Sequence, residues 1–154
     1  GSRPSRSYCH RQYQGTDEYI QINYCFFIMK NIGYTQKKYR CEVKRYCQTL
    51  DLKDNPELIS EYKLNHSREK IWPEIIEGIK SVGILEMEIY IWGTRLFMIV
   101  ETPLNFDWDS AMEKLSALPR QQEWEDYMSI FQSALPGSTS SDKWKQMERM
   151  FHLY

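Results

Sequence analysis

The chain has 154 residues, of which 42 % are hydrophobic and 27 % charged, with a net charge of −1. That length fits one domain of ordinary size able to bury a core, and the charge balance excludes a basic nucleic-acid-binding footprint for the chain as a whole. The apolar run Tyr24–Met29 is far too short to cross a bilayer, and no secretory leader pattern is present, so neither a nucleic-acid nor a membrane partner is expected, and the expected location is cytoplasmic.

The average conceals an asymmetry. Residues 1–44 carry eight basic and three acidic side chains, whereas 45–154 carry twelve and eighteen. The first 43 residues show neither steady helical nor steady strand periodicity. They are expected to lie outside the fold, as an extension, a tag or a mis-assigned start; the opening Gly1-Ser2 reads as a cloning remnant. A basic arm that docks on an acidic partner is the alternative, carried by charge alone.

Lys44–Leu52 alternates with period two and predicts a strand. Asp54-Asn55-Pro56-Glu57 is a helix start, with a capping side chain, a proline in the first turn and an acid. The helix is expected to run to Asn65 or His66, with Leu58, Tyr62 and His66 on one face. Ile71-Trp72-Pro73-Glu74 opens a second helix with Ile75, Ile76, Ile79 and Val82 as its apolar stripe, and Gly83 ends it.

Ile84–Trp92 alternates sharply, placing Met87, Ile89 and Ile91 on one face and Glu86, Glu88, Tyr90 and Trp92 on the other. Gly93-Thr94 is a tight turn into Arg95–Thr102, a strand apolar on both faces. A helix is expected over Asp107–Leu118, broken by Pro119, and another over Arg120–Leu135 with Trp124, Tyr127, Met128 and Phe131 at helical spacing. A loop at 136–141 then leads to a last strand, Trp144–Leu153.

This order predicts an α+β fold of the ferredoxin-like βαββαβ type, with helices on one face of an antiparallel sheet. A strand apolar on both faces implies that the second sheet face is buried too. The expected assembly is therefore a homodimer in which two sheets pack face to face, a dimeric α+β barrel.

The chemistry available is narrow. Only His10, His66 and His152 are present, no cysteine pair has metal-ligand or redox spacing, and no phosphate-binding glycine loop or nucleophile elbow occurs. No metal and no cofactor are expected. Cys47 sits mid-strand and reads as packing rather than nucleophile. His66 falls at a helix C-terminus, where the dipole favours the cation, which suits a proton donor; equally, such a histidine can simply bond nearby carbonyls. Trp124 and Tyr127, flanked by Glu123, Glu125 and Asp126, form either core with solvated acids or a ring that stacks on a sugar, with carboxylates accepting hydroxyl hydrogens.

Glu61-Tyr62-Lys63-Leu64-Asn65-His66 followed by Ile71-Trp72-Pro73-Glu74 resembles the E-Y-x-x-x-H…[IV]-W-P-E signature of the L-rhamnose mutarotase family. Gly83, Ile89-Tyr90, Arg95-Leu96-Phe97-Met98 and Glu123-Trp124-Glu125-Asp126-Tyr127-Met128 continue the resemblance across about 44–154. It implies a dimeric α+β barrel that interconverts the α and β anomers of L-rhamnose without metal or cofactor; a branch of similar sequences is associated with L-fucose. By position, His66 matches the family's proton donor, Tyr62 a substrate-binding tyrosine, and Trp124 the first of two adjacent tryptophans lining the sugar pocket. Three departures touch that pocket. The second tryptophan is Glu125, a family tyrosine falls at Met87, and the link from His66 to Trp72 is two residues longer than in bacterial rhamnose enzymes. If their strand face meets the cavity, Glu86 or Glu88 would be the complementary base. Two readings stand beside L-rhamnose: an L-fucose mutarotase, and a dimer that binds a sugar without catalysis. A monooxygenase on the related barrel would be a third, without support in these residues.

Overall fold

A computed structural model describes residues 33–135, 138 and 140–154. Residues 1–32 of the expected extension, and Pro136, Gly137 and Thr139 of the expected loop, lie outside the described residues. The chain divides into two compact units, 1–38 and 39–154, and every described helix and strand belongs to the second.

The second unit begins with β1 (Val43–Asp51), α1 (Pro56–Asn65) and α2 (Pro73–Ser81). The hairpin β2 (Glu86–Trp92) and β3 (Arg95–Pro103) follows, then α3 (Trp108–Ser116), α4 (Gln121–Ser129), the single turn α5 (Ser140–Lys143) and β4 (Lys145–Gln146). The sheet is antiparallel with strand order β2-β3-β1-β4.

The helix starts follow the capping chemistry. Asn55 caps α1, its side chain accepting from Glu57 N at 3.0 Å and Leu58 N at 3.1 Å, and Pro56 occupies the first turn. Asp107 caps α3 through Ser110 N at 2.8 Å. Gly83 follows the C-cap of α2 at φ +97°, and Gly93 turns the hairpin at φ +60°, conformations in which a Cβ would be strained.

Register decides which side chains meet the helices. Tyr46, Gln48 and Leu50 of β1 lie opposite Val100, Met98 and Leu96 of β3, which in turn lie opposite Met87, Ile89 and Ile91 of β2. This face, with Tyr62, Ile75, Trp124, Met128 and Phe131 from the helical layer, forms the core. The other face carries Arg45, Cys47 and Thr49 against Glu101, Ile99 and Phe97, with Glu88 and Tyr90 beyond them.

Two expectations are corrected. The helix over Arg120–Leu135 stops at Ser129. Beyond it the chain is drawn into an antiparallel bridge between Gln132 and Leu52, with Lys53 N donating to Phe131 O at 2.9 Å and Ser133 N to Asp51 O at 2.8 Å. Main-chain partners at the end of β1 thus replace those of another helical turn. The terminal strand expected over Trp144–Leu153 pairs only through Lys145 and Gln146, opposite Thr49 and Gln48, with one more bond from Met147 N to Cys47 O. Past that point Met150 and Tyr154 are 95 % and 98 % exposed, so the apolar side chains of the tail find no layer in the described residues to pack against.

Candidate active site

A cavity of about 820 Å³ opens between the helical layer and the core face of the sheet. His66, Tyr62, Trp124, Glu125 and Met87, the five residues singled out in the sequence, all line it. Residues separated by up to 63 positions are brought together because α1 and α4 both pack on the same sheet face.

The end of α1 sets the histidine. His66 is the C-cap, and its Nδ1 lies 2.8 Å from Tyr62 O, one turn back. A carbonyl can only accept, so Nδ1 carries the hydrogen and Nε2 holds the lone pair of the neutral ring. Its ring centroid is 4.2 Å from that of Tyr62 and 5.4 Å, edge to face, from that of Trp124. Burial lowers the His66 pKa from its usual value, and the bond to Tyr62 O offsets this only in part. The cation expected from the helix dipole is therefore outweighed by desolvation.

Tyr62 is buried, and its hydroxyl is held neutral by desolvation, which pushes its pKa upward. Gln132 acts in the opposite direction through a side-chain hydrogen bond. Trp124 is braced by Trp72 at 5.1 Å, edge to face, and Trp72 stacks on Tyr127 at 6.1 Å with 8° between planes. Arg120, at φ 64°, lays its guanidinium 3.9 Å over the Trp72 ring and pairs with Glu123 and Glu74. The aromatic wall is thus fixed from behind.

Glu125 is not a free carboxylate. Oε1 accepts from Gln121 Nε2 at 3.2 Å, and Oε2 pairs at 3.2 Å with Lys143 Nζ, which also donates to Ser129 Oγ at 2.8 Å. Lys143 itself is 5 % exposed. Asp126 accepts from Gln122 at 2.8 Å. On β2, Met87 and Ile89 line the cavity, and Glu86 borders it at the strand start. Glu88 is turned away and accepts from Tyr90 Oη at 3.1 Å, so of the two candidate bases Glu86 alone reaches the cavity, its Oε1 accepting from Met87 N at 3.1 Å. Among the described residues no group of three or more His, Cys, Asp or Glu could hold a metal ion, and no helix is long and apolar enough to cross a membrane.

Two lining carboxamides, Gln48 and Gln132, gave no expectation from sequence, and neither did Lys143, which lies outside the lining and pairs with Glu125. Gln48 had a signal, as the polar interruption of the apolar stripe Tyr46, Leu50, Leu52. Gln132 and Lys143 had none, because their positions depend on the exit from α4.

The family profile described as "L-rhamnose mutarotase" matches residues 45–153. An L-fucose mutarotase from Xanthomonas campestris pv. campestris is 37 % identical over 111 residues, 72 % of this chain and 89 % of that protein. A UPF0734 protein from Dictyostelium discoideum is likewise 37 % identical, over 117 residues, 73 % of this chain and 92 % of its own length. The solved structure of an L-rhamnose mutarotase from Formosa agariphila superposes with a TM-score of 0.53 at 20 % identity, covering 72 % of this chain and 99 % of that one, a likeness of fold.

Proposed function

Because the chain belongs to the L-rhamnose mutarotase family, we propose that it interconverts the α and β anomers of a 6-deoxy-L-hexose by acid/base opening and closure of the sugar ring. L-Rhamnose is the substrate named by the family profile, and L-fucose, named by the Xanthomonas relative, fits about equally. The observation that carries the reading is the His66 ring held by Tyr62 O between Tyr62 and Trp124 on the wall of the cavity.

Ring opening needs a proton at the ring oxygen as the anomeric hydroxyl gives one up. With Nδ1 committed to Tyr62 O, Nε2 is the His66 nitrogen left for proton transfer. As imidazolium it donates to the ring oxygen while the C1–O5 bond breaks and the anomeric hydroxyl passes its proton to solvent water; the aldehyde face turns; on reclosure His66 takes its proton back from the ring hydroxyl and water returns one to the new anomeric oxygen. Burial makes that imidazolium a stronger acid than an exposed one. Tyr62 orients the sugar, Trp124 and Met87 cover its apolar face and C6 methyl, and Glu125 presents its remaining lone pairs to hydroxyls.

We also read the strand order as a ferredoxin-like subunit, and the sheet face bearing Phe97 and Ile99 as the surface against which a second copy packs to close a barrel. The aromatic on that face, Phe97, and the apolar tail beyond Met147 support it. Of the expected 1–43 extension, residues 1–38 are taken as lying outside this domain, whereas 39–43 belong to the unit in which β1 opens at Val43.

The test is exchange between α and β anomeric protons of L-rhamnose and of L-fucose by magnetisation-transfer NMR. Catalytic amounts of protein should accelerate it, and His66→Ala should lower the rate by about 10²–10⁴. The rate should rise as pH falls toward the lowered His66 pKa. A rate that His66→Ala leaves unchanged removes the assignment, and a rate that instead climbs with pH turns His66 from acid to base.

A further inference from the structure

Two carboxamides border the cavity in places that favour apolar side chains. Gln48 projects from the core face of β1, between Tyr46 and Leu50 and opposite Met98, and is 6 % exposed. Gln132 is 3 % exposed, and its Oε1 is buried without a hydrogen-bond donor. An acceptor left so costs the folded protein on the order of 1–3 kcal/mol. Native structures keep few such groups, and each calls for an explanation.

The main chain holds Gln132 firmly. The bridge to Leu52, the Lys53 N bond to Phe131 O and the Ser133 N bond to Asp51 O fix the residue on both sides. Its amide is hydrogen-bonded toward Tyr62, itself one turn from His66. The neighbouring carboxylates, by contrast, already carry protein donors: Glu125 from Gln121 and Lys143, Asp126 from Gln122. Gln48 and Gln132 are thus uncharged groups of this wall with hydrogen-bonding capacity to spare, beside the lone pairs that Glu125 retains. A carboxamide offers two donors and an acceptor, a match for hydroxyls that both donate and accept.

We infer that Gln48 and Gln132 are the hydroxyl-reading, specificity-determining residues of the cavity, which select among neutral 6-deoxy sugars by the configuration of their ring hydroxyls. The inference rests on the mutarotase reading above. L-Rhamnose and L-fucose differ in configuration at C2 and C4. A rigid buried amide that pairs with one epimer is left unpaired by the other, and unpaired buried groups are what discriminate strongly between similar substrates.

Gln48→Met and Gln132→Met keep volume and remove the amide. Anomer-exchange kinetics on both sugars, with melting temperatures, form the test. Each variant should raise KM for the preferred sugar about tenfold, the loss of roughly one buried hydrogen bond, with a smaller change in kcat. The ratio of kcat/KM between the two sugars should shrink by a similar factor. The melting temperature of Gln48→Met should stay at or above that of the parent, because an apolar group replaces a buried amide, whereas Gln132→Met also leaves the buried Tyr62 hydroxyl without its amide partner and should melt somewhat lower. Parental KM and an unchanged sugar ratio in the folded variants overturn the inference, as does a lowered melting temperature with unaltered kinetics, which would make the amides structural. Should a methionine variant not fold, the parent protein decides: its 2-deoxy or 4-deoxy analogue should bind about tenfold more weakly than the full sugar, and equal binding overturns the inference. A parent that exchanges neither sugar defeats the mutarotase reading, and this inference with it. A parent that exchanges normally beside indistinguishable variants defeats this inference alone.

Discussion

Leu96 and Phe97 are neighbours in β3, yet Leu96 is 1 % exposed and Phe97 37 %. Each stands for one face of the sheet. On the helix side Leu50, Leu96, Met98 and Val100 are enclosed, and the ion pair at the cavity wall, Lys143–Glu125, has side chains 1 % and 18 % exposed. On the far side the corresponding pair, Arg95–Asp51, is bidentate at 2.6 and 2.9 Å but about half in water. The same residue types therefore carry different energetic weight. Where water is excluded, geometry is expensive to disturb; where water competes, the pairs mainly set register across β1 and β3.

That contrast can be broken at graded cost. Lys143→Met strands a partly buried carboxylate against the cavity wall and should lose about 3–5 kcal/mol in urea denaturation. Glu125→Gln in the same background should recover part of it, since the stranded charge is then gone. Leu96→Ala should cost about 2–5 kcal/mol. Phe97→Ala should cost clearly less in a monomer, and if a second copy covers that face the loss will appear as a concentration-dependent melting temperature and a smaller mass by light scattering.

A smaller effect follows from His66. Its folded pKa lies below the unfolded value of about 6.5, so in the window between the two the unfolded chain binds more protons. Stability should therefore fall as pH drops below about 6.5 and level off once pH passes the folded pKa. His66→Gln should flatten that part of the profile, and an unaltered slope would show that another group sets it. Asp51→Asn, on the exposed pair, should change stability least, by about 0.2–1 kcal/mol, and less still at high salt.

Much of this arrangement is legible in the chain. The Asn55 cap, Pro56 and the i, i+4, i+8 face of Leu58, Tyr62 and His66 place the histidine at the end of a helix with its ring toward the core. Alternation in β2 separates Met87 from Glu88, and Gly93 marks the hairpin. These are local patterns, and local patterns survive folding when they agree with burial. What could not be read depends on distant partners. Phe131, Gln132 and Ser133 leave the helical course because Leu52 and its neighbours offer main-chain bonds some eighty positions away. The buried lysine at 143 reads as surface in sequence because nothing nearby announces Glu125 as its counter-charge. The direction of the histidine's pKa shift was hidden for a related reason, since the helix dipole is visible locally whereas burial against Tyr62 and Trp124 is not.

The distribution of the five tryptophans has an optical consequence. Trp108, Trp124 and Trp144 line the cavity, and Trp72 packs on Trp124. Trp92 alone stands in water, 81 % exposed. Intrinsic emission from this protein is therefore weighted toward the cavity. Replacing Trp92 with phenylalanine would strip away the solvent-facing background and leave an unlabelled chain whose fluorescence reports directly on whatever enters beside His66.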